Sequence, residues 1–189
     1  MTATAFQDVV RELSPSLRSY LERMVGDPTT AEDLLQESLI KISNGLATFE
    51  GRSSLKTWAY TITTRVAIDY FRRPDQRRNM VELDEAHEPW DPQANISEAF
   101  IVDEMNACIR EVIDSLPEDY RAALVLHDLE GLTAQETADV CGTSLATAKA
   151  RIHRGRRRLE KALEHTCTFY TDDEILRCDR KNPAEDSSQ

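Results

Sequence analysis

The run Lys149-Ala-Arg-Ile-His-Arg-Gly-Arg-Arg-Arg-Leu159 gathers cations in a chain whose formal net charge is −11. From Ser144 to His165 there are seven Lys/Arg against two Glu, a local charge of 7 − 2 = +5. The remainder holds 16 basic and 32 acidic residues, a balance of −16. Guanidinium and ammonium groups at this density bind phosphate oxygens and guanine edges, and charge asymmetry along a chain points to nucleic acid. A second group with chemistry is His165, Cys167 and Cys178. The two cysteines are symmetric about Asp172-Asp173, so a short β-hairpin turning there sets them directly opposite. With His165 near the same end, such a pair can hold Zn²⁺ or Cu⁺, or close a reversible disulfide. It can also be two unrelated thiols at a frayed end. The four His and the scattered carboxylates make no nucleophile, HExxH or glycine-rich phosphate signature, so an enzyme is not expected. No cofactor is required.

The elements that must position these residues are helical. The chain has 189 residues, 40% of them hydrophobic, and only six Gly. Apolar spacing at 6, 9, 10, 13, 17, 20, 21 and 24 predicts helix, with Ser14-Pro15 reading as the junction of two helices. Thr30 and Asp33 read as a capping pair for the next helix, whose Leu35, Leu39 and Ile42 form one stripe. A loop, FEGRSSLK, leads to a helix over about 54–73 that Pro74 ends. From Asn79 to Met105 there are eight acidic residues and no Lys or Arg, a solvated linker in its early part. Helical spacing resumes at Met105, Ile109, Val112 and Leu116, and Pro117 opens a helix that Gly131 closes. The fold class expected is all-α: two small bundles on an acidic tether, with a short C-terminal β-hairpin allowed. The divisions fall at 1–76, 77–98, 99–165 and 166–189.

The segment GLTAQETADVCGTSLATAKARIHRGRRRLEKAL has the mechanics of a helix-turn-helix. Thr133 and Glu136 form a capping box, Ala138 is small where two helices cross, and Gly142 suits a left-handed turn. Thr143 or Ser144 caps the second helix. Its Leu145, Ala148 and Ile152 are expected in the core. Ser144, Ala146, Thr147, Lys149, Ala150, Arg151, His153 and Arg154 are expected to face outward, toward a major groove.

Three blocks, AEDLLQESLIKI, FEGRSSLKTWAYTITTRVAIDYFRR and LPEDYRAALVLHDLEGLTAQETADVCGTSLATAKARIHRGRRRL, occur in the order found in bacterial sigma factors of the extracytoplasmic-function (ECF) class. From about Phe6 to His165 the chain resembles that family. The resemblance implies a protein that binds core RNA polymerase and directs promoter-specific initiation. It implies −35 contacts by Ser144, Thr147, Lys149, Arg151, His153, Arg154 and Arg157. For the −10 element and its melting it implies Phe49, Arg52, Lys56, Arg65, Arg72 and Arg73, on the loop 49–57 and the helix that carries Trp58 and Tyr60. For docking on the polymerase clamp it implies Asp33, Gln36, Glu37 and Ile42. Trp58, spaced with 62 and 66, fits the core by itself. Arg65 stands where many members carry Asn, so their −10 preference does not transfer, and Ala148 replaces a branched apolar residue. Expected partners are polymerase, promoter DNA and an anti-sigma factor, for a free monomer.

No run of 18 apolar residues and no secretion signal is present, and four scattered Cys suit a reducing compartment, so the expected location is cytoplasmic. The rival expectation is a dimeric helix-turn-helix repressor or activator on a palindrome. It requires a heptad seam or an apolar ligand pocket in the first bundle, and the sequence shows neither.

Overall fold

The computed structural model describes residues 3–73, 112–172 and 175–180, with side chains described at 7, 10–73 and 112–164. The acidic linker and the last residues of the tail lie outside this set. Helix α1 spans Ala3–Val25, α2 Pro28–Leu46 and α3 Leu55–Arg72. After a helical end at 112–115, α4 covers Glu118–Leu124 and runs into a π-helical turn, Val125–Leu129. Helices α5, Ala134–Cys141, and α6, Leu145–Thr166, follow. A two-stranded antiparallel hairpin, β1 Cys167–Asp172 and β2 Ile175–Arg180, comes directly after α6.

The first three helices form where the apolar periodicity asks for them, with two corrections, one inside α1 and one at the start of α2. Helix α1 is continuous through Pro15 instead of breaking into two. Leu17, Tyr20, Leu21 and Met24 are buried on one face, and packing of that face outweighs the backbone bond the proline ring forfeits. The Ser16 hydroxyl donates to the Leu13 carbonyl at 3.0 Å, beside the interruption. Helix α2 starts at Pro28, so its cap is Asp27 rather than Thr30. The Asp27 carboxylate accepts from the Thr30 N–H at 2.7 Å and the Thr30 hydroxyl at 2.6 Å. Those two bonds hold the Asp27 carboxyl below its usual range. Asp is as good an N-cap as Thr, and proline in the first turn has no N–H to strand. At α3 the cap is Ser54, and Arg73 ends the helix in extended backbone, as a residue before proline prefers.

Inside the first bundle, the buried Tyr20 hydroxyl pairs with Thr64 at 2.9 Å, and its ring meets Tyr60 edge-on at 5.5 Å. Burial is the main reason the Tyr20 phenol is pushed above its ordinary pKa. Trp58 is half-buried and tilted against Phe49, ring centres 5.0 Å apart. Gly45 makes room for it, since a Cβ there would sit 2.9 Å from the indole.

The two halves are not merely tethered; they share one core. Leu17, Tyr20, Leu21, Tyr60 and Ala67 from the first half cluster with Val125, Leu126, Leu132 and Val140 from the second. Helix α3 packs on α5, and α1 packs on the π-helical turn. A smaller cluster of Val112, Ile113, Leu116, Leu124, Leu159 and Leu163 fixes α6 onto α4 and the helical end before it.

Candidate nucleic-acid interface

Helix α5 begins with both halves of a capping box. The Thr133 hydroxyl accepts from the Glu136 N–H at 3.2 Å, and the Glu136 carboxylate accepts from the Thr133 N–H at 2.9 Å. That backbone bond, with help from the Thr133 hydroxyl, keeps the Glu136 carboxyl below its usual range. The helix closes on Gly142 at φ +63°, a left-handed conformation a side chain would strain, and the Thr143 N–H returns to the Ala138 carbonyl at 3.0 Å. Ser144 then caps α6, its hydroxyl accepting from the Thr147 N–H at 3.1 Å. Ala138 and Ala148, both fully buried, let α5 and α6 approach. This is a helix-turn-helix.

Within α6 the sequence-predicted residues fall into three groups. Ser144, Ala146 and Thr147 are exposed on the first turn, followed by the half-buried Lys149. A groove-reading helix presents that end to base edges. Several cations behind it are occupied within the protein. Arg151 pairs with Asp119 at 2.7 Å, Arg154 donates to the Tyr120 hydroxyl at 3.3 Å, and Arg156 grips both oxygens of Asp128. The Asp128 bond raises the Arg156 pKa further. The third group corrects the expectation. His153 is buried at 7% exposure, not outward. Ile152, His153 and Gly155 are all buried, so the middle of α6 is enclosed from more than one side, which the periodicity of a single helix cannot register. Leu145 errs the other way: expected in the core, it is 38% exposed as the first residue of the helix.

On the first bundle, the loop from Phe49 to Ser54 turns through Gly51 at φ +71°. Arg52 stands in solvent, 3.2 Å from Glu50, and Phe49 is held back by Trp58. Arg65, Arg72 and Arg73 are exposed along α3, and Arg73 lies 3.6 Å from Glu37 on α2. Lys56 is exposed too, with Nζ 5.8 Å above the Tyr60 ring. Arg65 and Arg72, seven residues apart, share one face of α3, and cations along one face can track single-stranded phosphates.

On α2, Asp33 and Gln36 are exposed and Glu37 is half-buried beside Lys41 at 2.8 Å. Ile42 does not join them; it has no exposed surface and belongs to the core. Beside them lies an exposed apolar residue the sequence reading did not single out, Ile40, 61% exposed at helical spacing from Asp33, Gln36 and Glu37. Its signal was phase, since an isoleucine two positions off the buried stripe has to point elsewhere.

The hairpin forms, in a different register. Cys167 stands opposite Arg180, and Cys178 opposite Phe169, because the strands pair with Asp172 opposite Ile175, one position off the register symmetric about 172–173. The two cysteines are therefore diagonal rather than opposed. The side chains of the metal set His165, Cys167 and Cys178 lie outside the described residues. Among the described residues no cluster of three His, Cys, Asp or Glu is placed to hold a metal, and no helix is long and apolar enough to cross a membrane.

The family profile Sigma-70 region 2 matches residues 9–78, and Sigma-70, region 4 matches residues 106–159. The chain is 35% identical to the ECF RNA polymerase sigma factor SigX of Bacillus subtilis over 90% of this chain and 89% of that protein. It is 32% identical to the RNA polymerase sigma-H factor of Pseudomonas aeruginosa, over 85% and 86% of the two chains. Among solved structures, the sigma factor RpoE in complex with the anti-sigma factor NepR from Bartonella quintana superimposes with a TM-score of 0.65. That match has 25% identity and covers 86% of this chain and 98% of the other. CnrH, solved with the cytosolic domain of CnrY, shares the fold at a TM-score of 0.62 and 18% identity, over 86% and 90% of the two chains. The chain belongs to the sigma-70 family of RNA polymerase sigma factors, in its ECF class.

Proposed function

We propose that the protein binds core RNA polymerase and directs initiation through two separate DNA surfaces, without a catalytic site of its own and with no cofactor required for that role. Helix α6 reads the −35 element with Ser144, Thr147 and Lys149, while Arg151, Arg154 and Arg156 brace it from behind. The loop after α2 with Arg52, the start of α3 with Lys56, and the α3 face and end that carry Arg65, Arg72 and Arg73 engage the opened −10 strand. Helix α2 docks on the polymerase through Asp33, Gln36, Glu37 and Ile40. The match of α2 to Sigma-70 region 2 supports the docking assignment, and Ile40, 61% exposed at helical spacing from Asp33, Gln36 and Glu37, gives that polar face an apolar side chain to bury. An inhibitor protein of the anti-sigma kind is a further partner, and the site of action is the cytoplasm, where the polymerase is. Zn²⁺ or Cu⁺ on His165, Cys167 and Cys178 remains a separate proposal, to be decided by elemental analysis of protein purified without chelator.

Footprinting tests the division of labour. With core polymerase present, the protein should protect two promoter segments about 25 base pairs apart, or roughly 85 Å at about 3.4 Å per pair. A dimer that protects a palindrome without polymerase would instead make the protein a conventional repressor or activator.

A further inference from the structure

The hairpin is the described element that neither the DNA surfaces nor the docking face uses. It begins at Cys167, directly after α6 ends at Thr166, and lies past residue 159, where the match to Sigma-70, region 4 stops. Helix α6 has 22 residues, so the hairpin stands about 33 Å along it from the first turn that faces DNA. Its sheet has two strands, in the order β1-β2. Among the described residues each strand thus keeps one edge whose N–H and C=O groups meet no third strand. Such a pair is marginal alone, and a stable sheet needs three or more strands with an apolar face. By the register, Cys167, Phe169, Thr171, Leu176, Cys178 and Arg180 share one face.

The two edges differ in what they can pair with. Strand β1 reads CTFYTD, with no charge before Asp172, so no charge on it selects a register. Strand β2 reads ILRCDR, which sets Arg177 and Asp179 on either side of Cys178. A two-fold axis pairs residue i of one copy with j of the other, and j with i. With that axis at Cys178, Arg177 stands opposite Asp179 of the second copy, and Asp179 opposite the second copy's Arg177. Moving the axis by one residue sets Arg177 against Arg177, or Asp179 against Asp179. Opposite charges across a strand pair stabilise and like charges destabilise. This strand is therefore complementary to itself in one register.

We infer that β2 is a self-association edge, on which two copies of the chain join antiparallel through Ile175–Arg180, centred on Cys178. The product is a four-stranded sheet in the order β1-β2-β2-β1. The charge complementarity of Arg177 and Asp179 argues for a second copy as the occupant, and the second copy supplies the strands the hairpin lacks. It also brings Phe169, Leu176 and Cys178 of both chains onto one face. The edge is six residues long, so association is weak. The monomer expected for the free chain is its dilute form, with both hairpin thiols free. Because the contact lies at the far end of α6 from the groove, it needs neither DNA nor polymerase and stands apart from the function proposed above.

Sedimentation equilibrium of the full chain, from about 1 μM to about 1 mM, tests this. The average mass should rise with concentration from one chain toward two. Arg177→Asp or Asp179→Arg alone sets like charges opposite at both positions and should weaken self-association about tenfold. An equimolar mixture of the two variants should restore it, since every facing pair is then opposite in charge. Circular dichroism checks that each variant keeps its helices. Cys178 supplies a second measurement, because it meets its own copy at a Cα separation of about 4.5–5.5 Å, within the disulfide range of about 4.4–6.8 Å. In concentrated solution diamide takes two electrons and two protons from two Cys178 thiols, and one S–S bond joins the chains. A chain with Cys178 as its only cysteine should cross-link, and one with only Cys167, on the outer strand of each copy, should not. A single-chain mass across the whole range overturns the proposal. A dimer that ignores the charge reversals, or that cross-links equally well through Cys167, overturns the β2 edge.

Discussion

Replacing Ile42 by Ala removes a side chain with no exposed surface from the core of the first bundle. Thermal or urea unfolding should show a loss of about 2–4 kcal/mol. The same change at Ile40, 61% exposed, should leave stability within about 0.5 kcal/mol and instead weaken binding to core polymerase. Spacing alone separates the two: Leu35 and Ile42 are seven apart on the buried stripe, and Ile40 falls out of phase. A parallel contrast holds on α6. Lys149→Ala should flatten the salt dependence of promoter binding by about one unit, the signature of a lost phosphate contact. Arg151→Ala, which breaks the pair with Asp119 at 2.7 Å, should cost about 1 kcal/mol of stability and change that slope less. The sequence shows that cations gather on this helix. It does not show which of them face Asp119, Tyr120 and Asp128, because those partners sit about 30 residues away on α4 and the turn after it. Cys141 is half-buried at the end of α5, and desolvation pushes its thiol up to about 11. With Cys108, Cys167 and Cys178 replaced by Ser, alkylation at pH 8 should be about a hundredfold slower in the folded chain than after denaturation.

Among the elements, the helix-turn-helix was the most legible, since cap, small residue, turn glycine and basic helix are all local signals. The structure keeps each of them: Thr133 with Glu136, Ala138, Gly142 and Ser144. Thr133→Ala should cost about 1 kcal/mol at neutral pH. Glu136 is lowered in the folded state, so its contribution is present above the unfolded carboxyl pKa, about 4.3, and is lost as pH falls through the lower folded value. The stability gap between the wild type and Glu136→Gln should therefore narrow in acid. Ends governed by tertiary packing were less legible. Pro15 looks like a break until the buried face of α1 is known, and Asp27 and Thr30 are both acceptable caps on local chemistry. The hairpin register differs by one position, because nothing local in the acidic run Asp172-Asp173-Glu174 fixes how the strands pair. Diagonal partners stand about 7–8 Å apart, beyond the usual Cα span of a disulfide at about 4.4–6.8 Å. Two freely titrating thiols after mild oxidation are expected from Cys167 and Cys178.

At the scale of the molecule, net charge −11 and a cationic α6 belong together. Overall acidity weakens contact with random DNA, so the protein acts where polymerase fixes its two surfaces at the right separation. The presence of two helical halves was readable from periodicity and the acidic stretch between them. Their direct packing was not, since it depends on Glu130 meeting Arg23 and Tyr60 across 107 and 70 residues of sequence. Long-range pairs of that kind leave no periodic trace. The central claim, that this chain gives core polymerase its promoter choice, is tested most directly by run-off transcription with a cognate core enzyme on genomic DNA fragments. Discrete transcripts should form when the protein is added and be absent with core alone. If a core enzyme that responds to another sigma factor makes no specific transcript on any fragment with this protein, the claim is contradicted.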